Sequence, residues 1–264
     1  MPGFYAHHRF GKEVLALLPQ NLQAVCASHR TQFDIGLQGP DLFFFYKPHT
    51  ANQVVKYGHH LHKISAYPFF EHGLSVIERQ GVDSGEYAYL LGFICHFILD
   101  SQCHGYVNEK AGEIRVSHLE IEEEFEKYLL RADGEHPLAF PIYELVPQDD
   151  ETARALVPFY EGITFAIVKR SLLDLQRVKR FLTAPGMLKQ GLINGAMRLS
   201  GKHYSSLKGL MNQRKDNPRC EKSNGDLREL FEEAVPLAAA MTVSFDESLR
   251  TGGRLAKRFD RNFE

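Results

Sequence analysis

Tyr89-Leu-Leu-Gly-Phe-Ile-Cys-His96-Phe-Ile-Leu-Asp100-Ser-Gln-Cys-His104 is the stretch that decides the fold. Its apolar residues leave no polar face, and Ser84 just upstream is a helix-capping residue, so the spacing predicts a buried helix from Ser84 through about His104. His96, Asp100 and His104 are spaced i, i+4, i+8. At about 100° per residue they fall within a stripe of about 80° on one helix face. Two imidazoles and a carboxylate buried without partners would cost several kcal/mol. A divalent cation removes that penalty, because it takes neutral imidazole and ionised carboxylate.

A second pair lies close by in the chain. Ser117 followed by Glu120 has capping-box spacing and predicts a helix through about Arg131, with His118 and Glu122 one turn apart at its start. The period elsewhere is helical too. Helices are predicted over Phe4 to Leu18, Gln20 to His29, Asn52 to Gln80 with a break near Pro68, Glu151 to Leu182 with a break near Pro158, Gln190 to Met211, and Leu227 to about Leu249, bent at Pro236. Ile35 to Asp41 (IGLQGPD) is expected to be a loop, Leu42 to Tyr46 a short strand, and Gln213 to Gly225 a mobile loop. The expectation is an all-α, single-domain multi-helix bundle over 1–264, with metal-binding helices in 1–131 and basic helices in 151–264 packed on them.

Thirteen histidines are unevenly placed, twelve of them between His7 and His136. Charge is split as well. Residues 1–150 carry 11 Lys+Arg against 20 Asp+Glu, and residues 151–264 carry 20 against 13, so a net −9 faces a net +7. Histidine with acid suits an oxygen- and nitrogen-rich metal site. The basic stretch Lys169 to Lys222, 13 cations against three acids, is either a solvated surface or an attractor for a phosphate headgroup or anionic membrane. The overall net charge of −2 predicts no stable nucleic-acid complex. The longest apolar run, Ala88 to Leu99, is too short to cross a bilayer. Cys26, Cys95, Cys103 and Cys220 match no disulfide or zinc-ribbon spacing and read as small buried hydrophobes. With no signal-peptide pattern, this points to a cytoplasmic protein. HExxH, GxGxxG, Walker and GxSxG patterns are absent.

With these residues in place, the chain resembles the bacterial zinc-dependent phospholipase C family, whose all-α fold is shared with fungal single-strand-specific nucleases. The resemblance runs in order through Tyr5-Ala-His7-His-Arg-Phe-Gly, Gly36-Leu-Gln-Gly-Pro-Asp41, His62 ahead of Phe69-Phe70, His96…Asp100…His104, and Ser117-His118…Glu122. It implies that His62, His96 and Asp100 hold one zinc and that His104, His118 and Glu122 hold a second. His7 would join a bridging Asp100 around a third. Asp41 would orient or deprotonate the attacking water. The chain departs from the secreted members in having no tryptophan, beginning Met1-Pro2-Gly3 instead, and in a shorter gap between Asp100 and His104.

The resemblance implies a zinc-dependent hydrolase of phosphoesters, with a phospholipid, a soluble phosphodiester, a nucleotide or a phosphomonoester as substrate, and the basic stretch adds an expectation of peripheral membrane contact. The alternative is a zinc-binding scaffold with little or no turnover. Periodicity leaves open which of His59, His60 and His62 points inward. His8, about 100° round from His7, is expected to point elsewhere. His29, His49, His72, His136 and His203 are expected at the surface, and the acid run Glu120 to Glu126, Glu122 excepted, on a solvated face.

Overall fold

The computed structural model describes residues 3–264. Its α-helices, in chain order, are α1 (Phe4–Leu17), α2 (Gln20–Ser28), α3 (Arg30–Gly36), α4 (Gln53–Lys63), α5 (Tyr67–Gln80), α6 (Gly85–Ile114), α7 (His118–Ala132), α8 (Asp150–Leu156), α9 (Phe165–Leu182), α10 (Met187–Arg198), α11 (Tyr204–Leu207) and α12 (Glu221–Thr251). Short 3-10 turns link several of them, and the described residues contain no strand. The fold is all-α.

Helix α6 is the axis. The Ser84 side chain accepts from the Tyr87 backbone N–H and starts it. Every residue from Tyr87 to Asp100 is buried, so the helix is apolar all round and enclosed by its neighbours. It continues three turns beyond His104, because Gly105 and Gly112 are tolerated in its exposed part, and stops at Arg115 in the left-handed conformation (φ 54°). Against it lies α3, at a distance only glycine permits. A Cβ on Gly36 would stand 2.2 Å from the Tyr89 carbonyl oxygen, and one on Gly92 2.2 Å from that of Phe33. Helix α12 packs along α6 and runs unbroken through Pro236. One apolar core reaches from Phe4 to Phe263 and joins the first helices to the last. A small second cluster, Leu182, Ala184, Ile193 and Met211, sits under α10.

Three expectations are corrected. Leu42 to Tyr46 is not a strand. Gly39–Phe45 is a 3-10 helix with Pro40 at its start, and an isolated strand there would leave its backbone without a ladder partner. Gln213 to Gly225 is not a free loop. Backbone N–H groups of Gln213 and Asn217 bond Glu123 Oε1 (2.6 Å) and Glu124 Oε1 (2.7 Å), and α12 begins at Glu221. For the same reason the acid run on α7 is not solvated. Glu120, Glu123, Glu124 and Glu126 are all buried, covered by the segment from Lys208 to Asn217 and by α1.

Candidate metal centre

Four segments bring their ligand-type side chains to one face of α6. Helix α1 delivers His7, the 3-10 turn delivers Asp41, α4 delivers His62, and α7 delivers His118 and Glu122 beside the α6 stripe. The turn works because of Gly39. Its φ is +48°, and a Cβ there would stand 2.2 Å from His96 Cδ2. The backbone can therefore pass directly over the His96 ring and point Asp41 inward.

Asp100, completely buried, is the centre of the arrangement. Its Oδ1 lies 3.2 Å from His7 Nε2. Its Oδ2 lies 3.2 Å from His96 Nε2, 3.8 Å from His62 Nε2 and 3.9 Å from His104 Nε2. Asp41 Oδ1 is 2.9 Å from His62 Nε2. On the far side, Glu122 Oε1 is 2.7 Å from His118 Nε2 and 3.9 Å from His104 Nε2. The His7 ring stacks on His96, with centroids 4.5 Å apart. His118 is part exposed and opens this end of the cluster to solvent.

The other nitrogens of four imidazoles are tied back. His62 Nδ1 donates to the Gly58 carbonyl (2.8 Å), His96 Nδ1 to that of Leu37 (3.2 Å), and His104 Nδ1 to that of Phe263 (2.6 Å). His118 Nδ1 donates to Asn108 Oδ1 (2.8 Å). A carbonyl oxygen has no proton to give, so these Nδ1 atoms carry the hydrogen and each ring presents its Nε2 to a carboxylate, His118 Nε2 hydrogen-bonding Glu122 Oε1 at 2.7 Å. Where an Nε2 carries no hydrogen, its lone pair repels that of a facing carboxylate unless a cation stands between them. Accordingly, Nε2 of His62 and His96, both ring nitrogens of His7 and both carboxylate oxygens of Asp41 and Asp100 are buried without an aligned hydrogen-bond partner among the described residues.

The electrostatics agree. Burial, helped by the neighbouring His96, holds His7 below its ordinary pKa, and burial pushes His104 down to about 4. Burial works against a charge on Asp100, yet its neighbours, His96 and His104 first and the His7 contact with them, hold its carboxyl well below the usual range. Glu122 is likewise lowered against burial by its bond to His118. For His7 and His104 beside Asp100 and Glu122, this favours neutral imidazole next to ionised carboxylate, the state a divalent cation takes. His62 differs: burial opposes its charge, but Asp41 and Asp100 raise it.

Three groups of ligand atoms lie close enough to share an ion: His7 with His96 and Asp100, Asp41 with His62 and His96, and His104 with His118 and Glu122. All donors are imidazole nitrogen or carboxylate oxygen. Such a set fits zinc better than magnesium or calcium, which prefer shells of oxygen. The cysteines take no part. All four are buried and unpaired, and burial pushes the Cys26 thiol up to about 12.

Of the neighbouring histidines, His62 faces inward, His59 stacks on Phe44 (4.4 Å), and His60 is exposed. His8 turns away from His7 toward Asp34 (3.9 Å). Asp41, assigned to water alone from the sequence, also stands within ligating reach of His62 and His96. Sequence reasoning did not find the groups that aim the imidazoles. Asn108 was hidden because the predicted helix stopped short of it. The carbonyls of Gly58, Leu37 and Phe263 leave no mark on side-chain patterns. Residues Met1 and Pro2 lie outside the described residues.

Compared with known proteins, residues 6–163 match the family model described as zinc-dependent phospholipase C, more than half of the chain. No curated protein and no solved structure matches it.

Proposed function

The chain belongs to the zinc-dependent phospholipase C family, and from that premise we propose that it hydrolyses phosphoester bonds at the cluster around Asp100. In this reading His62, His96 and Asp100 hold one ion and His104, His118 and Glu122 a second, while His7 shares Asp100 around a third. Zinc bound there supplies positive charge against the phosphoryl oxygens and acidifies water. Asp41 orients the attacking water from its glycine-proline turn and accepts its proton as the new bond to phosphorus forms. The bond from phosphorus to the leaving oxygen breaks, that oxygen takes up a proton from protonated Asp41 or solvent water, and an alcohol departs. The backbone-tied imidazoles stay fixed throughout, so little reorganisation is needed at the moment of reaction. The family points to a phospholipid as the substrate class, and a soluble phosphodiester or phosphomonoester is the simpler probe.

The observation that supports this most is Asp100, buried among four Nε2 atoms without an aligned hydrogen bond. The experiment is metal analysis of the purified protein, with hydrolysis of a phosphodiester, a phosphomonoester and a phospholipid before and after chelation. Zinc-dependent turnover of one of them is the expected result. Full zinc with no turnover on any would leave a metal-binding scaffold.

A further inference from the structure

Helix α10 is apolar on two opposite sides. Gln190, Ile193 and Met197 face inward toward Leu182, Ala184 and Met211. At about 100° per residue, Leu188, Leu192 and Leu199 form a second stripe about 40° wide on the opposite side. They are 79%, 68% and 91% exposed, and Met187 at the start of α10 (75%) and Phe181 near the end of α9 (59%) are exposed as well. Lys189 and Arg198 stand on either flank of the stripe.

Along the chain, the charge on either side of this patch has one sign. Residues 175–215 contain nine Lys and Arg and no Asp or Glu. Among the described residues, Lys208 alone of the nine pairs with a carboxylate, Glu120 at 2.6 Å. Lys189 donates to the carbonyls of Arg180 (3.2 Å) and Thr183 (2.6 Å) and Arg198 lies over the Tyr204 ring, so both heads are held at the surface with their charge unneutralised by a carboxylate. A second copy of the chain fits poorly here, because a self-pairing would set Lys189 and Arg198 against like charges. An exposed apolar stripe flanked by cations suits the boundary between headgroups and acyl chains, with the cation stems lying along the apolar surface and their heads at the phosphates.

Helix α11 links α10 to the helix that carries the open end of the metal cluster. After α10 the chain returns through α11, and the Ser117 hydroxyl at the start of α7 donates to the Ser205 carbonyl (2.8 Å). His118, the part-exposed member of the cluster, is the next residue. We infer that α10 and its basic surroundings form a docking surface for a bilayer bearing anionic phospholipids, with Leu188, Leu192 and Leu199 inserted and Lys189 and Arg198 at the headgroups. Docking stands on this surface alone. Its value for turnover, holding a lipid substrate beside the His118 opening, rests on the phosphoester-hydrolase reading.

The test is flotation of the full-length, metal-loaded protein with vesicles of phosphatidylcholine, alone or with about a third phosphatidylglycerol, a content chosen to give a strongly negative surface. Binding is expected only to the anionic vesicles and should weaken with salt. Leu188→Ser/Leu192→Ser should lower vesicle affinity at least about tenfold. Lys189→Gln/Arg198→Gln should lower it roughly 25-fold. Both pairs are exposed, so folding and turnover of a soluble phosphodiester should stay at the wild-type level. Absence of binding, equal binding to both vesicle types, or binding indifferent to both variants would overturn the proposal. So would a solution dimer that the serine variant disperses in a protein that ignores vesicles. Flotation needs no turnover, so an inactive protein that floats refutes the hydrolase reading and leaves the docking surface standing.

Discussion

Gly39 carries more of the site than any ligand-type residue on the same turn. The left-handed φ costs an alanine about 1 kcal/mol, but the larger effect is steric, since the new Cβ would meet the His96 ring. Gly39→Ala should therefore push His96 off its position and lower zinc stoichiometry, measured by metal analysis, while helicity stays near wild type. Asp41 and Asp100 should separate by behaviour. Asp100→Asn replaces the central carboxylate and should lose metal. Asp41→Asn should cost about 10²–10⁴ in rate if it acts as the base, with zinc largely retained. Loss of zinc in Asp41→Asn would assign that residue to ligation beside His62 and His96. Retention of full zinc and full rate would remove it from both roles. At this scale the sequence showed which residue types were available. Which of three clustered histidines turns inward depends on how α4 docks, and no local pattern carries that.

Helix α7 shows why an acid run is a poor guide to exposure. Its glutamates lie under the segment from Lys208 to Asn217, and part of the charge split between the two halves of the chain is neutralised there. Lys127, fully buried, sits 3.1 Å from Glu123, 3.0 Å from Glu124 and 3.0 Å from Asp216. Burial pushes Glu123 up to about 8 even with this partner. Arg131 still reaches half-exposed Asp216 (2.9 Å), but removing Lys127 leaves buried Glu123 and Glu124 without their close cation, so Lys127→Met should destabilise the fold by about 3–5 kcal/mol. A drop in melting temperature on the order of 10 °C checks it. A change within 1–2 °C, the scale of a surface substitution, would mean that the carboxylates protonate without consequence. The caps were legible, since Ser84 and Ser117 both accept the backbone N–H three residues on. Glu120 does not complete the capping box because Lys208 and Asn217 take its carboxylate.

Across the whole molecule, the metal centre and the fold are one structure. Chelation should lower the melting temperature by roughly 5–10 °C, because empty buried ligands lose the cation that binds only the folded state. An unchanged melting curve with metal loss verified would refute that linkage. Phe263 closes the centre from the other end of the sequence. Its ring packs against His62 and His96, its N–H donates to the His62 carbonyl (3.2 Å), and its own carbonyl holds His104. Phe263→Ala should cost about 3–5 kcal/mol and weaken zinc binding about 10–100-fold. A calorimetric scan and a zinc titration measure the two effects. The register of His96, Asp100 and His104, and of His118 and Glu122, was determined by sequence alone, because one-turn spacing on a helix is a local property. So was the all-α class, from the 3.6-residue period of nearly every segment. Tertiary structure decided the rest: Asp41 beside His62, Phe263 beneath His104, glutamates under a basic segment, and leucines left outside on α10. Each depends on contacts between segments far apart in the chain, set by packing such as Gly36 on Gly92, which no spacing along the chain encodes.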